Sequence, residues 1–192
     1  MREKNETMRI GKINSLVIMA GCLLVAGCAT KQAPPPNCAS WQSQALVETL
    51  NALRNDITAH YGFRDGAPRV NLGPCGRFAR DFRERWNARF LDPVNIAFIM
   101  SGDGRLCHHV LVRLPDGRYF DGGNGVVTEP FLAALYPGSC IEVMKVFDSR
   151  LLDQRSYGLD RKYPECENYS DEFTGEVIRR RFGELTAPRA HP

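Results

Sequence analysis

Apolar residues recur along this chain with two different periods, and the switch between them divides it. Leu46, Leu50, Leu53 and Ile57 lie three or four residues apart behind a good N-cap at Ser40, which predicts a helix ending at Gly62. Residues 63–73 hold three Gly/Pro breakers and read as loop. A second helix is expected from Pro74-Cys75, since proline suits a first helical turn. Its apolar stripe is Cys75, Phe78, Ala79, Phe82 and Trp86; Arg77, Arg80, Arg83 and Arg85 with Asp81 and Glu84 form a solvated, ion-paired face. After Pro93 strands take over, at 94–100, 107–114, 118–121 and 140–147. Ser101-Gly102-Asp103-Gly104 is a turn, 128–135 a short helix, and 170–182 a terminal helix. Leu114-Pro115-Asp116-Gly117 favours a type I turn closed by Gly117 in the left-handed region, a three-residue hairpin loop. The expected fold class is α+β, with helices packed on an antiparallel β-meander.

The first residues follow neither period. Arg9 and Lys12 precede an apolar run, Leu16–Ala26, of 11 residues. That is too short to span about 30 Å of hydrocarbon as a helix, and it is the size of a signal-peptide core. Leu24-Val25-Ala26-Gly27-Cys28 is similar to a bacterial lipobox, where the leader is cut and the cysteine acquires lipid, palmitate included. Cys22 is a weaker cleavage position, and Met8 an alternative start. The expected organisation is a lipoprotein signal peptide at 1–27, the lipid anchor Cys28 with a Pro-rich tether at 28–39, and one domain at 40–192. Ala29 in place of Asp implies the outer membrane, with the domain on its periplasmic face. The expected partner through the lipid is therefore the membrane.

This division changes the charge. Of 25 Lys+Arg and 22 Asp+Glu, four basic and two acidic residues fall in the leader, so +3 becomes +1. A near-neutral domain excludes nucleic-acid binding through phosphate neutralisation.

Candidate chemistry begins at Cys75. A helix start favours thiolate through its dipole and free N–H groups, although an inert buried cysteine there is equally common. The hairpin adds a second argument. If Leu114 pairs with Arg118, His109 and Asp121 project from one face as diagonal neighbours about 7–8 Å apart. A two-residue loop at Asp116-Gly117 would instead put His108 on that face. A thiol, an imidazole and a carboxylate so related make a nucleophile, its base and an orienter.

These residues resemble a known superfamily. Cys75 opening a helix, His109-Val110-Leu111-Val112 on a strand and Gly117-Arg118-Tyr119-Phe120-Asp121 on the next look like the papain-like/transglutaminase-like cysteine peptidases. Gly73-Pro74-Cys75-Gly76-Arg77-Phe78-Ala79 is similar to the opening of bacterial transglutaminase-like cysteine proteinases. The resemblance covers roughly residues 70–125. It implies a Cys75-His109-Asp121 triad acting on an amide bond, in a peptide or cell-wall fragment, by hydrolysis or acyl transfer. Pro74 replaces the Asp that many such bacterial members carry before the cysteine. No Gln stands upstream as oxyanion donor; Asn71 is the substitute on offer, with the Cys75 N–H as the second donor. These departures keep a non-catalytic alternative open, in which the same scaffold binds a peptide, a cell-wall fragment or a partner protein.

The cysteine count bears on the same choice. Of seven, Cys22 leaves with the leader and Cys28 is lipidated, so Cys38, Cys75, Cys107, Cys140 and Cys166 remain. Outside the cytoplasm cysteines tend to pair, and an odd number leaves one thiol free. Cys75 has the positional reason to be that one. The others permit three pairings, of which Cys107–Cys140 with Cys38–Cys166 is favoured; the alternative is that several stay reduced. No metal site or cofactor is expected: Cys107-His108 lacks a second closely spaced ligand pair.

Overall fold

A computed structural model describes residues 44–162 and 164–186. The leader, Cys22, Cys28, the tether, Cys38 and Ser40 lie outside the described residues. In chain order the elements are α1 (Gln44–Tyr61), β1 (Phe63–Arg64), β2 (Ala67–Pro68), a 3-10 turn (Arg69–Asn71), α2 (Cys75–Asn87), β3 (Asn95–Met100), β4 (Cys107–Arg113), β5 (Tyr119–Asp121), β6 (Gly125–Val127), α3 (Glu129–Leu135), β7 (Cys140–Val143), α4 (Ser149–Lys162), a second 3-10 turn (Pro164–Asn168) and α5 (Asp171–Thr186). The fold is α+β. Its five-stranded sheet has the order β6-β5-β4-β3-β7, with every neighbouring pair antiparallel.

The sheet is covered on both faces, and its alternation decides which residue goes where. Ile96, Phe98, Val110, Val112 and Phe120 meet Leu50, Leu53 and Ile57 of α1, Phe78, Phe82 and Trp86 of α2, and Ile178 and Phe182 of α5. Phe82 sits at the centre, its ring 4.8 Å from Phe120, 5.2 Å from Phe182 and 5.5 Å from Trp86. Ala97, Ile99, Leu111, Tyr119 and Val127 turn the other way, onto Leu132 of α3. β3 is buried on both faces, which explains its unbroken apolar run.

The predicted hairpin forms. Val112 pairs with Phe120 and Arg113 with Tyr119. Leu114 N–H donates to the Arg118 carbonyl at 2.8 Å, and Gly117, at φ 90°, donates to the Leu114 carbonyl at 3.0 Å. Pro115 and Gly117 thus set the register through local sterics.

Several expectations need correction. Residues 63–68 hold a small hairpin, β1-β2, inside the expected loop. The stretch after Asp121 is more than a turn: Gly125 opens β6, which pairs back on β5. Three residues starting at a glycine carry too little periodicity to be read as a strand. β7 stops at Val143 rather than Phe147, where the Met144 N–H donates to the Ile96 carbonyl at 2.9 Å. Asp148 then caps α4, its Oδ1 accepting from the N–H groups of Arg150 (2.9 Å) and Leu151 (3.3 Å). That cap was the signal available for the missed helix. α5 begins near the expected place, with Ser170 Oγ accepting from the Phe173 N–H at 3.1 Å.

The arginine face of α2 is not merely solvated. Arg77 bonds the Cys166 carbonyl (3.1 Å) and the Asp171 carboxylate (2.8 Å), and Arg85 bonds the Gly175 carbonyl (3.2 Å). These arginines fasten the C-terminal elements to the helix that starts at Cys75. No helix among the described residues is long and apolar enough to cross a membrane.

Candidate active site

Cys75 is the first residue of α2, behind Pro74. Its backbone N–H and those of Gly76 and Arg77 belong to the free donors of a helix start, and the Phe78 N–H closes the first turn on the Pro74 carbonyl at 2.9 Å. Cys75 is 3% exposed, and its thiol donates to the Gly73 carbonyl at 3.6 Å.

His109 lies on β4 beside a bulge. Ile99 pairs with His109, but the next β3 residue, Met100, pairs with Cys107. His108 is therefore the extra residue of the bulged strand. Bulges re-aim side chains, and here Cys107 packs with the helix-side cluster while His109 keeps the register of Ile99. His108 is exposed; His109 is 1% exposed. The His109 ring lies near-parallel to Tyr136, with centroids 6.0 Å apart.

Asp121 ends β5 and is also 1% exposed. Its Oδ2 accepts from His109 Nε2 at 3.0 Å and from Asn124 Nδ2 at 2.8 Å. Its Oδ1 accepts from the N–H groups of Gly123 (2.7 Å) and Asn124 (3.2 Å). Burial works to raise the Asp121 pKa, but the His109 charge and these donors outweigh it and hold the carboxyl at about 2. Burial likewise works to lower the His109 pKa. The Asp121 charge, the neighbouring Cys75 and the Asp121 hydrogen bond win, and His109 stands well above 6.5. A carboxylate only accepts, so Nε2 carries a proton toward Asp121. Nδ1 is buried with no hydrogen-bond partner among the described residues, and so is the ring atom open to the thiol.

Two glycines let this corner close. A Cβ on Gly122 would lie 2.8 Å from the Phe78 ring, and one on Gly123 would lie 2.5 Å from Asn71 Nδ2. The β5-β6 turn therefore packs directly on the first turn of α2 and on the 3-10 turn before it. The structure brings Cys75, His109 and Asp121 together, and seats Asn71 against Gly123. Asn124, which holds Asp121 twice, was not anticipated; its place three residues after the carboxylate was the available clue.

Cys107 and Cys140 are both free thiols, so the expected bridge is absent. Each pairs with Met100 from opposite sides, which puts a whole strand between them. Two inter-strand spacings are about 10 Å, beyond the roughly 7 Å limit for a disulfide. The Cys38–Cys166 pairing lies outside the described residues through Cys38. Cys107 adjoins the site: its thiol donates to the His109 carbonyl at 3.4 Å, and burial with the neighbouring Cys75 pushes its pKa up to about 11.

No protein-family model matches this chain, and neither the curated proteins nor the solved structures yield a match.

Proposed function

We propose that this protein is a thiol hydrolase or acyltransferase acting on amide bonds, built on a papain-like/transglutaminase-like core. It is anchored through Cys28 lipid to the outer membrane, with its domain in the periplasm. The observation that carries the reading is the His109 Nε2–Asp121 Oδ2 bond of 3.0 Å with Cys75 beside the same ring.

The reaction follows from those positions. Nδ1 of His109 takes the Cys75 proton, and the thiolate adds to the substrate carbonyl carbon. The tetrahedral oxyanion is met by the free N–H groups at the start of α2, with Asn71 as a further candidate donor. His109 returns its proton to the departing amine as the C–N bond breaks and a thioester forms. Water or a second amine, deprotonated by His109, attacks the thioester and restores the thiol. Asp121 keeps Nε2 protonated and supports the imidazolium, so Nδ1 always faces the sulfur.

The test is selective alkylation. Cys75 in the native mature protein reacts with iodoacetamide near neutral pH, and His109→Ala slows it at least tenfold, read by peptide mass mapping. Equal Cys75 rates in the two proteins defeat the proposal. One observation favours the non-catalytic alternative: Cys75, His109 and Asp121 are 3%, 1% and 1% exposed. A Cys75→Ala protein with full biological function selects that alternative.

A further inference from the structure

A cavity of about 290 Å³ is lined by His60, Tyr61, Arg69, Pro74, Glu165 and Asn168, and so reaches the residue before Cys75. The end of α1, both 3-10 turns and the residue preceding Cys75 converge on it. One lining residue has an unsatisfied atom among the described residues. Glu165 is 6% exposed; its Oε1 accepts from Arg64 at 2.8 Å, and its Oε2 is buried with no hydrogen-bond partner among the described residues. A buried acceptor left bare costs about 1–3 kcal/mol, so such an atom marks a place where a ligand can donate. Across the same lining, Arg69 uses Nε–H on the Phe63 carbonyl at 3.2 Å, and its guanidinium enters no ion pair among the described residues.

The charges narrow the ligand. Arg64 already neutralises Glu165, so the cavity carries the net positive charge of Arg69. A simple cation would be repelled by it, and a simple carboxylate would leave Glu165 Oε2 bare. A group with both an ammonium and a carboxylate satisfies both sides, and the volume suits one such group. We propose that this cavity is the subsite for a free amino-acid end of the substrate, its ammonium on Glu165 and its carboxylate on Arg69. The inference rests on the amide-hydrolase reading of Cys75 for its catalytic meaning. It narrows the substrate to amides carrying an unblocked amino-acid end, as against the interior of a protein chain.

The experiment uses the mature Cys75→Ala protein, in which no turnover competes, and isothermal titration with L- and D-glutamine. Glutaramate, lacking the ammonium, and 4-aminobutanamide, lacking the carboxylate, are the comparators. One glutamine enantiomer is expected to bind at least tenfold tighter than either comparator. Glu165→Gln should weaken glutamine tenfold or more and leave glutaramate unchanged, which also shows that the variant is folded. Arg69→Met should weaken glutamine and leave 4-aminobutanamide unchanged. Glutamine that binds no tighter than glutaramate, or that is indifferent to Glu165→Gln, overturns the proposal, as does absence of binding by both enantiomers at 10 mM. The two readings fail separately. Cys75 alkylation that ignores His109 while glutamine still binds sinks only the enzyme; the converse sinks only the subsite.

Discussion

Gly76 follows Cys75 and packs on α4, and replacing it with alanine tests that contact. A methyl built there overlaps Ser156 Oγ and lies 2.9 Å from Ser156 Cβ; the next atom, Leu152 Cδ1, is at 3.8 Å, ordinary contact. The hydroxyl can rotate away. The Cβ cannot, because the α4 backbone holds it. Overpacking of this kind costs about 1–3 kcal/mol, and the better helix propensity of alanine returns up to about 1 kcal/mol. Gly76→Ala is therefore expected to destabilise by about 1–2 kcal/mol. Ser156→Gly removes both clashing atoms, so in that background Gly76→Ala should become neutral or stabilising. Ser156→Ala keeps the Cβ and should rescue only in part. Urea unfolding of the four proteins of the Gly76/Ser156 cycle gives the coupling energy, expected at about 1 kcal/mol or more. A Gly76→Ala protein as stable as the parent, or a coupling within about 0.3 kcal/mol of zero, refutes the argument. Cys75 alkylation in the same proteins shows whether displacing α4 also disturbs the thiol.

Asp121→Asn keeps the shape but removes the charge that supports His109; Cys75 alkylation should slow at least tenfold, and amide turnover by about 10²–10⁴. The buried pair also gives stability two pH flanks. Asp121 falls from 3.8 to about 2 on folding, so its contribution, about 2 kcal/mol, is full above pH 3.8 and fades as pH drops toward 2. His109 is raised, so its contribution is full below 6.5 and is lost as pH climbs through the folded value. A His109→Ala/Asp121→Ala protein should lose both flanks in denaturation midpoints measured against pH; profiles parallel to the parent's would contradict this. Native labelling with iodoacetamide should modify exposed Cys140 quickly and Cys107, with its pKa near 11, slowly. Recovery of a Cys107–Cys140 disulfide peptide under non-reducing conditions would overturn that assignment.

Parts of this protein were readable because their causes are local. Pro115 restricts one dihedral and Gly117 takes φ 90°, so the hairpin register and the shared face of His109 and Asp121 follow from a few neighbouring residues. The stripe from Cys75 to Trp86 reports its own helix, and the unbroken apolar run of β3 its double burial.

Other parts have causes far apart in the chain. β6 exists because β5 offers it an edge, not because three residues from Gly125 prefer a strand. Cys107 and Cys140 looked pairable until Met100 was seen to lie between them. Ser156 reaches Gly76 and Glu165 faces the cavity at Pro74 across 80 or more residues, a separation over which neither periodicity nor turn chemistry acts. Backbone sterics and hydrophobic spacing act over a few residues and so are written in sequence. Which distant surfaces meet is decided by burying whole faces together, a property of the assembled chain.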